Sequence, residues 1–519
     1  NYSMERIILP EGYETNDNAD TNLVDELEKS TNVAYTANGA ISNRTSLDAL
    51  LDFFAQGGAM RHNSESEVFD LFQKAFIQDN LLALKCLFYF RDIRGGQGER
   101  RLLRVVLKKL AKQHPELVVK NLDNVVKYGR WDDLFCLEGT SPWFQASKFI
   151  ETQFNKDVAS LTGGEESVSL LGKWLPSVNA SSAITKKLGR YFARFFGMQH
   201  SEYRKTLSKL RTAIDVVEKK MTTKQWGEIN YERVPGKAGL KYRGAFSRND
   251  TERYGKYLED VSSGKKTIKT QTLYPYDIVG KCVSGYGIER DYSPTDVAAL
   301  DAMWNNLPNY LADKPHRGLV VCDTSGSMYG SYKSVSPIEV SISLAMYIAE
   351  RNDDPTFGNA FLTFSEQPQL QRIADGNIYE KVTALSNANW GYNTNLQNVF
   401  NVILETAKNK NLGNDNLPEK LYIISDMQFD EACDQNDDSN YTTIKKKFEA
   451  EGFKCPELIF WNVNACGTQV PVTVNDEGVC MVSGCSPAIL TAILSGEKID
   501  PIQVMLDAID IDRYTSVVV

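Results

Sequence analysis

From about Ser46 to Gly264 the apolar residues recur at spacings of three and four, as in SEVFDLFQKAFIQDNLLALKCLFYFRDI (66–93). That is the period of amphipathic helices. RLLRVVLKKLAKQHPELVVKNLDNVVKYGRW (101–131) predicts two helices broken near His114 and Pro115. Strand-like alternation is scarce here, and several helices joined by short turns suit a bundle or a stack of helical hairpins. After Pro315 short apolar runs alternate with helical segments: LVVC (319–322), AFLTFS (360–365), LYIIS (421–425), ELIFWNV (457–463) and VCMV (479–482). Continuously apolar strands separated by helices predict a parallel, doubly wound sheet covered on both faces. Ser336, Pro337 and Glu339 supply a capping serine, a first-turn proline and a capping-box glutamate for a buried central helix.

Composition sharpens this picture. The chain has 519 residues, 42% hydrophobic and 24% charged, enough for two or three domains with sizeable cores. Residues 1–40 are polar and acidic and are expected to form a mobile arm, followed by an α-helical domain over 41–300 and an α/β domain over 301–519. No apolar run reaches membrane-span length and the opening segment does not have the pattern of a signal peptide, so a cytoplasmic protein without membrane contact is expected. The nine cysteines form no CxxC, which favours reduced structural thiols. Four histidines, none in HExxH, make histidine-based metalloenzymes and Ser/His/Asp hydrolases poor candidates.

Charge is unevenly distributed. The net value is −9, yet residues 91–270 contain 35 Lys and Arg against 20 Asp and Glu. A polyanion-binding part joined to an acidic one, or a solvated basic helical surface, would each produce this asymmetry. Within the basic part, RDIRGGQGERRLLRVV sets a glycine-rich turn among Arg91, Arg94, Arg100, Arg101 and Arg104. Such a turn before a helix can offer amides to a phosphate, or can be a tight interhelical turn with solvated arginines. GxxxxGK[ST] is absent. LGKWLPS (171–177), ARFFGMQHSEYRKTLSKLR (193–211) and YERVPGKAGLKYRGAFSRND (231–250) interleave cations with Trp174, Tyr203, Tyr231, Tyr242 and Phe246. Aromatic faces stack on unpaired bases while cations hold the backbone, although aromatics at helical spacing also build cores. The expected RNA contacts are Arg94, Arg100, Lys173, Arg204, Arg211 and Lys241 on phosphates, with Trp174 or Tyr203 as a stacking face.

The stretch GLVVCDTSGSMYG (318–330) ends a strand in Asp323, Ser325 and Ser327, hard oxygen donors on alternate positions, with Gly326 expected to relieve crowding at the bend. In an open parallel sheet ligands bind beyond the carboxyl ends of the strands, and Mg²⁺ prefers hydroxyl and carboxylate oxygens. WGYNTNLQNVF adds Thr394 just before a helix, and LYIISDMQFD puts Asp426 at another strand end. A turn merely capped by Asp and Ser is the simpler alternative. With both later loops in order, the sequence resembles the von Willebrand factor A family, whose metal-ion-dependent adhesion site has the pattern Asp-x-Ser-x-Ser, a distant Thr and a later Asp. The resemblance implies that Asp323, Ser325, Ser327, Thr394 and Asp426 hold Mg²⁺ or another divalent cation. It departs from the family at Asn393 and Asn395, where Gly and Asp often flank the Thr, and in the acidic FDEACDQNDDSN.

IRGGQGERR, YGRWDDLF (128–135), LGKWLPS and YRKTLSKLR followed by DTSGSM resemble the TROVE-plus-A-domain proteins typified by the Ro autoantigen, and a further family with the same two-part layout. This resemblance implies a HEAT-like helical-repeat domain that binds structured or single-stranded RNA, followed by a doubly wound A domain. The leading expectation is a non-enzymatic, Mg²⁺-carrying RNA scaffold. An adaptor that recruits a protein through the metal site without RNA is the alternative. A hydrolase stands third: a haloacid-dehalogenase-like phosphatase needs a second Asp where Ser325 stands, and DTSGSM does not fit GxSxG.

Overall fold

The structure is a computed structural model that describes residues 31–163, 168–282, 293–314, 316–329, 335–363, 368–386, 395–429, 440–467, 469–496 and 498–519. An all-α helical-repeat region precedes an α/β domain built on a mixed sheet; the periodicities predict the helices and the parallel strands, and the resemblance implies the repeat. The described part of the expected arm differs. Strands β1 (Val33–Tyr35) and β2 (Ile41–Asn43) form an antiparallel hairpin. Asn43 and Val470 exchange backbone hydrogen bonds, so the hairpin is docked on the C-terminal domain.

The helical region begins with α1 (Ala49–Gly57), α2 (Glu65–Gln78), α3 (Asn80–Arg91) and α4 (Arg100–Gln113), each packed on the one before it or on its neighbour. Ser64 and Glu67 close a capping box at the start of α2. Asp79 ends α2 and caps α3 by accepting from Leu82 N, so the long apolar run of 66–93 is two helices. Phe53 meets Phe72 and Phe90 edge-on at centroid distances of 5.6 and 5.3 Å; each buried ring contributes roughly 1.5–3 kcal/mol. The predicted break at His114–Pro115 is present, with Pro115 in the first turn of the helix Pro115–Lys120, and Asn121 adds a second break before Leu122–Tyr128. Further along come α5 (Trp143–Gly163), α6 (Ala183–Phe195), α7 (His200–Ala213), α8 (Gly236–Asn249), α9 (Thr251–Ser262) and α10 (Pro294–Asn305). A separate small core joins α8, α9 and α10 around Tyr231, Phe246, Tyr254 and Ala299.

The sheet contains β3 (Gly318–Cys322), β4 (Ala360–Thr363), β5 (Leu370–Arg372), β6 (Lys420–Ser425), β7 (Glu457–Asn462) and β8 (Val479–Ser483), in the order β5-β4-β3-β6-β7-β8. All neighbours are parallel except the edge strand β5. The five predicted apolar strands are all present and almost wholly buried. β5 escaped prediction because it is three residues long and largely exposed. The central helix α11 (Pro337–Arg351) starts with the expected capping box at Ser336 and Glu339. The chain runs from β3 outward to β5, then returns to place β6 against the other side of β3. The carboxyl ends of β3 and β6 therefore flank the point where strand order reverses, the place where open α/β sheets bind ligands.

Candidate functional site

Asp323 and Asp426 are the residues immediately beyond β3 and β6, and Asp323 N donates to Ile424 O at 2.9 Å. Both side chains are buried, at 0% and 1% exposure. Asp323 Oδ1 accepts from Ser325 N at 2.8 Å, and its Oδ2 from Ser425 Oγ at 2.5 Å. The hydroxyls of Ser325 and Ser327 lie 3.1 Å apart, and Ser327 also hydrogen-bonds Asp426. Four of the five expected metal residues thus share one crevice, with Ser327 exposed at its mouth. Thr394, the fifth, lies outside the described residues; Asn395 caps the helix α12 (Leu396–Asn409) that follows it. Gly326 does not have the expected role, since a Cβ there would meet open space.

Burial, and then the nearby Asp426 charge, push the Asp323 carboxyl up to about 7. Asp426 is also raised, chiefly by burial, against the hydrogen bonds from Ser327 and Gln428 N. Two buried carboxylates that disfavour each other's charge, beside two hydroxyls, form an oxygen set that suits a hard divalent cation. Among the described residues no three His, Cys, Asp or Glu side chains gather as a metal cluster.

The glycine-rich turn departs from the phosphate-cradle expectation. Its amides are all used internally: Arg94 N and Gly95 N donate to Asp92 Oδ1, Gly96 N and Gly98 N to Asp92 O, Gln97 N to Tyr89 O and Glu99 N to Phe90 O. Its flanking arginines divide. Arg91 is buried against Asp133 at 2.7 Å, and Arg104 pairs with Asp132 and Asp133. Arg94 and Arg100 remain exposed. The turn instead joins the two halves of the chain: Arg513 and Tyr514 bond Asp92, and Gln97 exchanges hydrogen bonds with the Ser486 backbone.

Of the other expected RNA contacts, Arg204 and Lys241 are exposed and Lys173 is half-buried. Tyr203 cannot be the stacking face. It is 0% exposed within the core and donates to Pro176 O at 3.0 Å. Tyr231 and Phe246 are also core residues. Trp174 is half-buried, and the Arg130 guanidinium sits 4.0 Å from its ring centroid, covering one face. Arg211 donates to Gly172 O, Leu175 O and Ser177 Oγ, so most of its reach is spent holding the 172–177 segment.

A family model described as a domain of unknown function, DUF2828, matches residues 36–137 and 143–316, more than half of the chain. The chain belongs to the DUF2828 family. A second model, DUF7788, also described as a domain of unknown function, matches residues 317–513. The two matches meet at residues 316 and 317, beyond the boundary of 300 and 301 expected from composition, and α10 does pack on α8 and α9. The chain is 28% identical over 517 residues to "Uncharacterized protein L728" of Acanthamoeba polyphaga mimivirus, covering 92% of this chain and 87% of the relative. It also aligns with the crystal structure of the Deinococcus radiodurans RO (RSR) protein at 14% identity and a TM-score of 0.48, over 90% of this chain and 100% of that one.

In this DUF2828 member three side chains at the crevice escaped the motif. Ser425 is fully buried and donates to Asp323; its place directly before Asp426 at a strand end was the available signal. Cys466 Sγ lies 3.6 Å from Asp426 Oδ2, with Asn464 Nδ2 donating to that sulfur at 2.9 Å. Both follow β7, the neighbour of β6, which only the sheet order reveals. Two and three residues beyond Asp426 the docked hairpin holds the same loop, as Asn38 Nδ2 donates to Gln428 O at 2.8 Å and Thr36 Oγ1 to Phe429 O at 2.6 Å.

Proposed function

We propose that the protein is a non-enzymatic RNA-binding scaffold, in which the basic helical region takes structured or single-stranded RNA and the sheet domain carries Mg²⁺ or a similar cation for binding a protein partner. The observation that carries this reading is the surplus of 35 Lys and Arg over 20 Asp and Glu in residues 91–270, together with the exposure of Arg94, Arg100, Arg204 and Lys241. Exposed cations without a carboxylate partner among the described residues are those able to replace counterions along a phosphate backbone. A gel-shift titration with single-stranded RNA should give binding at about 50 mM salt that falls by several orders of magnitude by about 200 mM. No shift even at low salt would reject the reading.

Asp323, Ser325, Ser327 and Asp426 are the residues that would hold the cation, with Thr394 the further ligand that the A-domain resemblance implies. When bound, the ion would supply positive charge to the two buried carboxylates and to a partner's carboxylate. Asp323 and Asp426 supply the negative charge, Ser425 fixes the Asp323 carboxyl, and exposed Ser327 marks the open side. That exposed mouth also favours a second reading, an adaptor that recruits protein without RNA. Pull-downs with wild type and Asp323→Ala separate the two: the scaffold keeps RNA and loses its protein partner, whereas the adaptor never retains RNA.

A further inference from the structure

A cleft of about 430 Å³ opens between α7, the short helix Val217–Thr222 and the loop at 177–179. That volume lies within the range of small-molecule sites. Arg204, Ser208 and Arg211 line it from one stripe of α7, spaced four and three residues apart, and Lys219 faces them from the short helix. Its apolar lining is Val178, Leu207 and Val216.

Its charges are unevenly matched. Three other arginines held largely out of solvent in the helical region have carboxylate partners: Arg91 has Asp133, Arg61 has Glu99 and Arg243 has Asp296. Arg211 is half-buried, yet its bonds at 3.0, 3.2 and 2.8 Å all go to uncharged oxygens, those of Gly172, Ser177 and Leu175. Burial lowers its affinity for the proton, offset in part by the neighbouring Tyr203 phenol. Arg204 is exposed with no ion pair among the described residues. Lys219 donates to the Thr212 hydroxyl and has no ion pair among the described residues. The single carboxylate in the lining, Glu218, accepts from Tyr242 OH at 3.2 Å through Oε1, and its buried Oε2 has no hydrogen-bond partner among the described residues. A cavity walled by three cations and one carboxylate, with a half-buried guanidinium that has hydrogen bonds but no counter-charge among the described residues, is short of negative charge.

We propose that this cleft binds a phosphate monoester, its phosphate between Arg204, Arg211 and Lys219 and its uncharged body on Val178, Leu207 and Val216. Three of the five N–H donors of Arg211 are fixed on the 172–177 segment, which orients the guanidinium and leaves two for the phosphate, and Arg204 and Lys219 supply the outer contacts. Glu218 Oε2 is an acceptor for a hydroxyl on the ligand body. The same chemistry arises in a free mononucleotide and at a 5′-phosphorylated RNA end. The inference stands on the cleft itself and does not depend on RNA binding elsewhere on the helical surface.

The test uses the full chain in calorimetric titrations with AMP and adenosine, and with an octanucleotide carrying either a 5′-phosphate or a 5′-hydroxyl. At least one phosphorylated probe should bind tenfold or more tightly than its dephosphorylated counterpart. The double substitution Arg204→Gln and Lys219→Gln should erase that preference without changing the melting temperature, while Arg194→Gln on α6 should leave it intact. Preference within the AMP pair assigns the site to a free small ligand, and preference confined to the oligonucleotide pair assigns it to an RNA end. Equal binding within both pairs, or a preference that survives the double substitution, would overturn the proposal. AMP binding by a protein that shifts no RNA in gels would remove the scaffold reading and leave this cleft standing.

Discussion

Asp52, on the buried face of α1, accepts from Ser46 N at 2.7 Å and is only 8% exposed. Burial pushes its carboxyl up to about 6, against the hydrogen bonds from Ser46. The folded state therefore keeps this proton to a higher pH than the unfolded chain does. The stabilisation from the protonated form is complete below about pH 4 and is lost as pH rises through 6. Asp52→Asn keeps an acceptor for Ser46 N and never ionises. It is expected to melt above wild type at pH 8, by on the order of 1–2 kcal/mol, with the gap closing near pH 4. Melting curves at the two pH values check this; a constant difference would show that the carboxyl does not titrate with folding. The same scale explains why cations close in sequence differ. Arg91 is sealed against Asp133, and Arg94, three residues on, points to solvent because α3 has ended and the chain has turned.

At the scale of elements, the turn between α3 and α4 is the part whose sequence misleads most. Three glycines before a basic helix suggest anion binding, but here they permit close packing. Gly96 lies so near Tyr89 O that a Cβ would meet it at 1.9 Å. Gly98 has φ of +68°, and a Cβ there would meet the Tyr274 hydroxyl at 2.0 Å. Gly98→Ala would combine left-handed backbone strain with this clash, at a cost of roughly 2–3 kcal/mol. A lowered melting temperature and faster hydrogen exchange in the α3–α4 turn are the expected readouts. The unchanged protein stability of such a variant would mean that the turn is loose and its amides free for other partners.

Over the whole molecule, the last segment of the described chain ties the sheet domain back to the helices. After α13 (Pro501–Ile509), Arg513 and Tyr514 bond the buried Asp92, and Tyr128 OH donates to Arg513 O at 2.6 Å. Asn124 Nδ2 and Asn121 Nδ2 reach Ser516 O and Val518 O at 2.8 and 2.7 Å. Arg513→Ala leaves Asp92 with its amide donors and Tyr514 but no counter-charge. Because Arg513 is itself 39% exposed, the expected loss is about 1–3 kcal/mol and not the full cost of breaking a buried pair. Limited proteolysis should then cut the 510–519 segment sooner than in wild type, with Arg194→Ala unchanged as the surface control. Equal cleavage rates would mean that the apolar contacts of Tyr514 alone hold the junction.

Patterns repeated within a few residues were legible from the chain itself. Apolar runs located five of the six strands of the sheet, Ser336-Pro337 and Glu339 located α11, and Asp323, Ser325 and Ser327 marked a strand-end turn. Such signals survive because strand and helix periods, caps and turns are set by local backbone geometry. What each cation or ring does after folding depended on partners far along the chain. Asp133 removes Arg91 from the surface across 42 residues, Arg513 converts the glycine-rich turn into a domain junction across 421, and the packing of α7 on α5 buries Tyr203. Tertiary structure alone decided these outcomes, because desolvation and ion pairing are settled by which groups meet in space, and nothing in local spacing encodes that meeting.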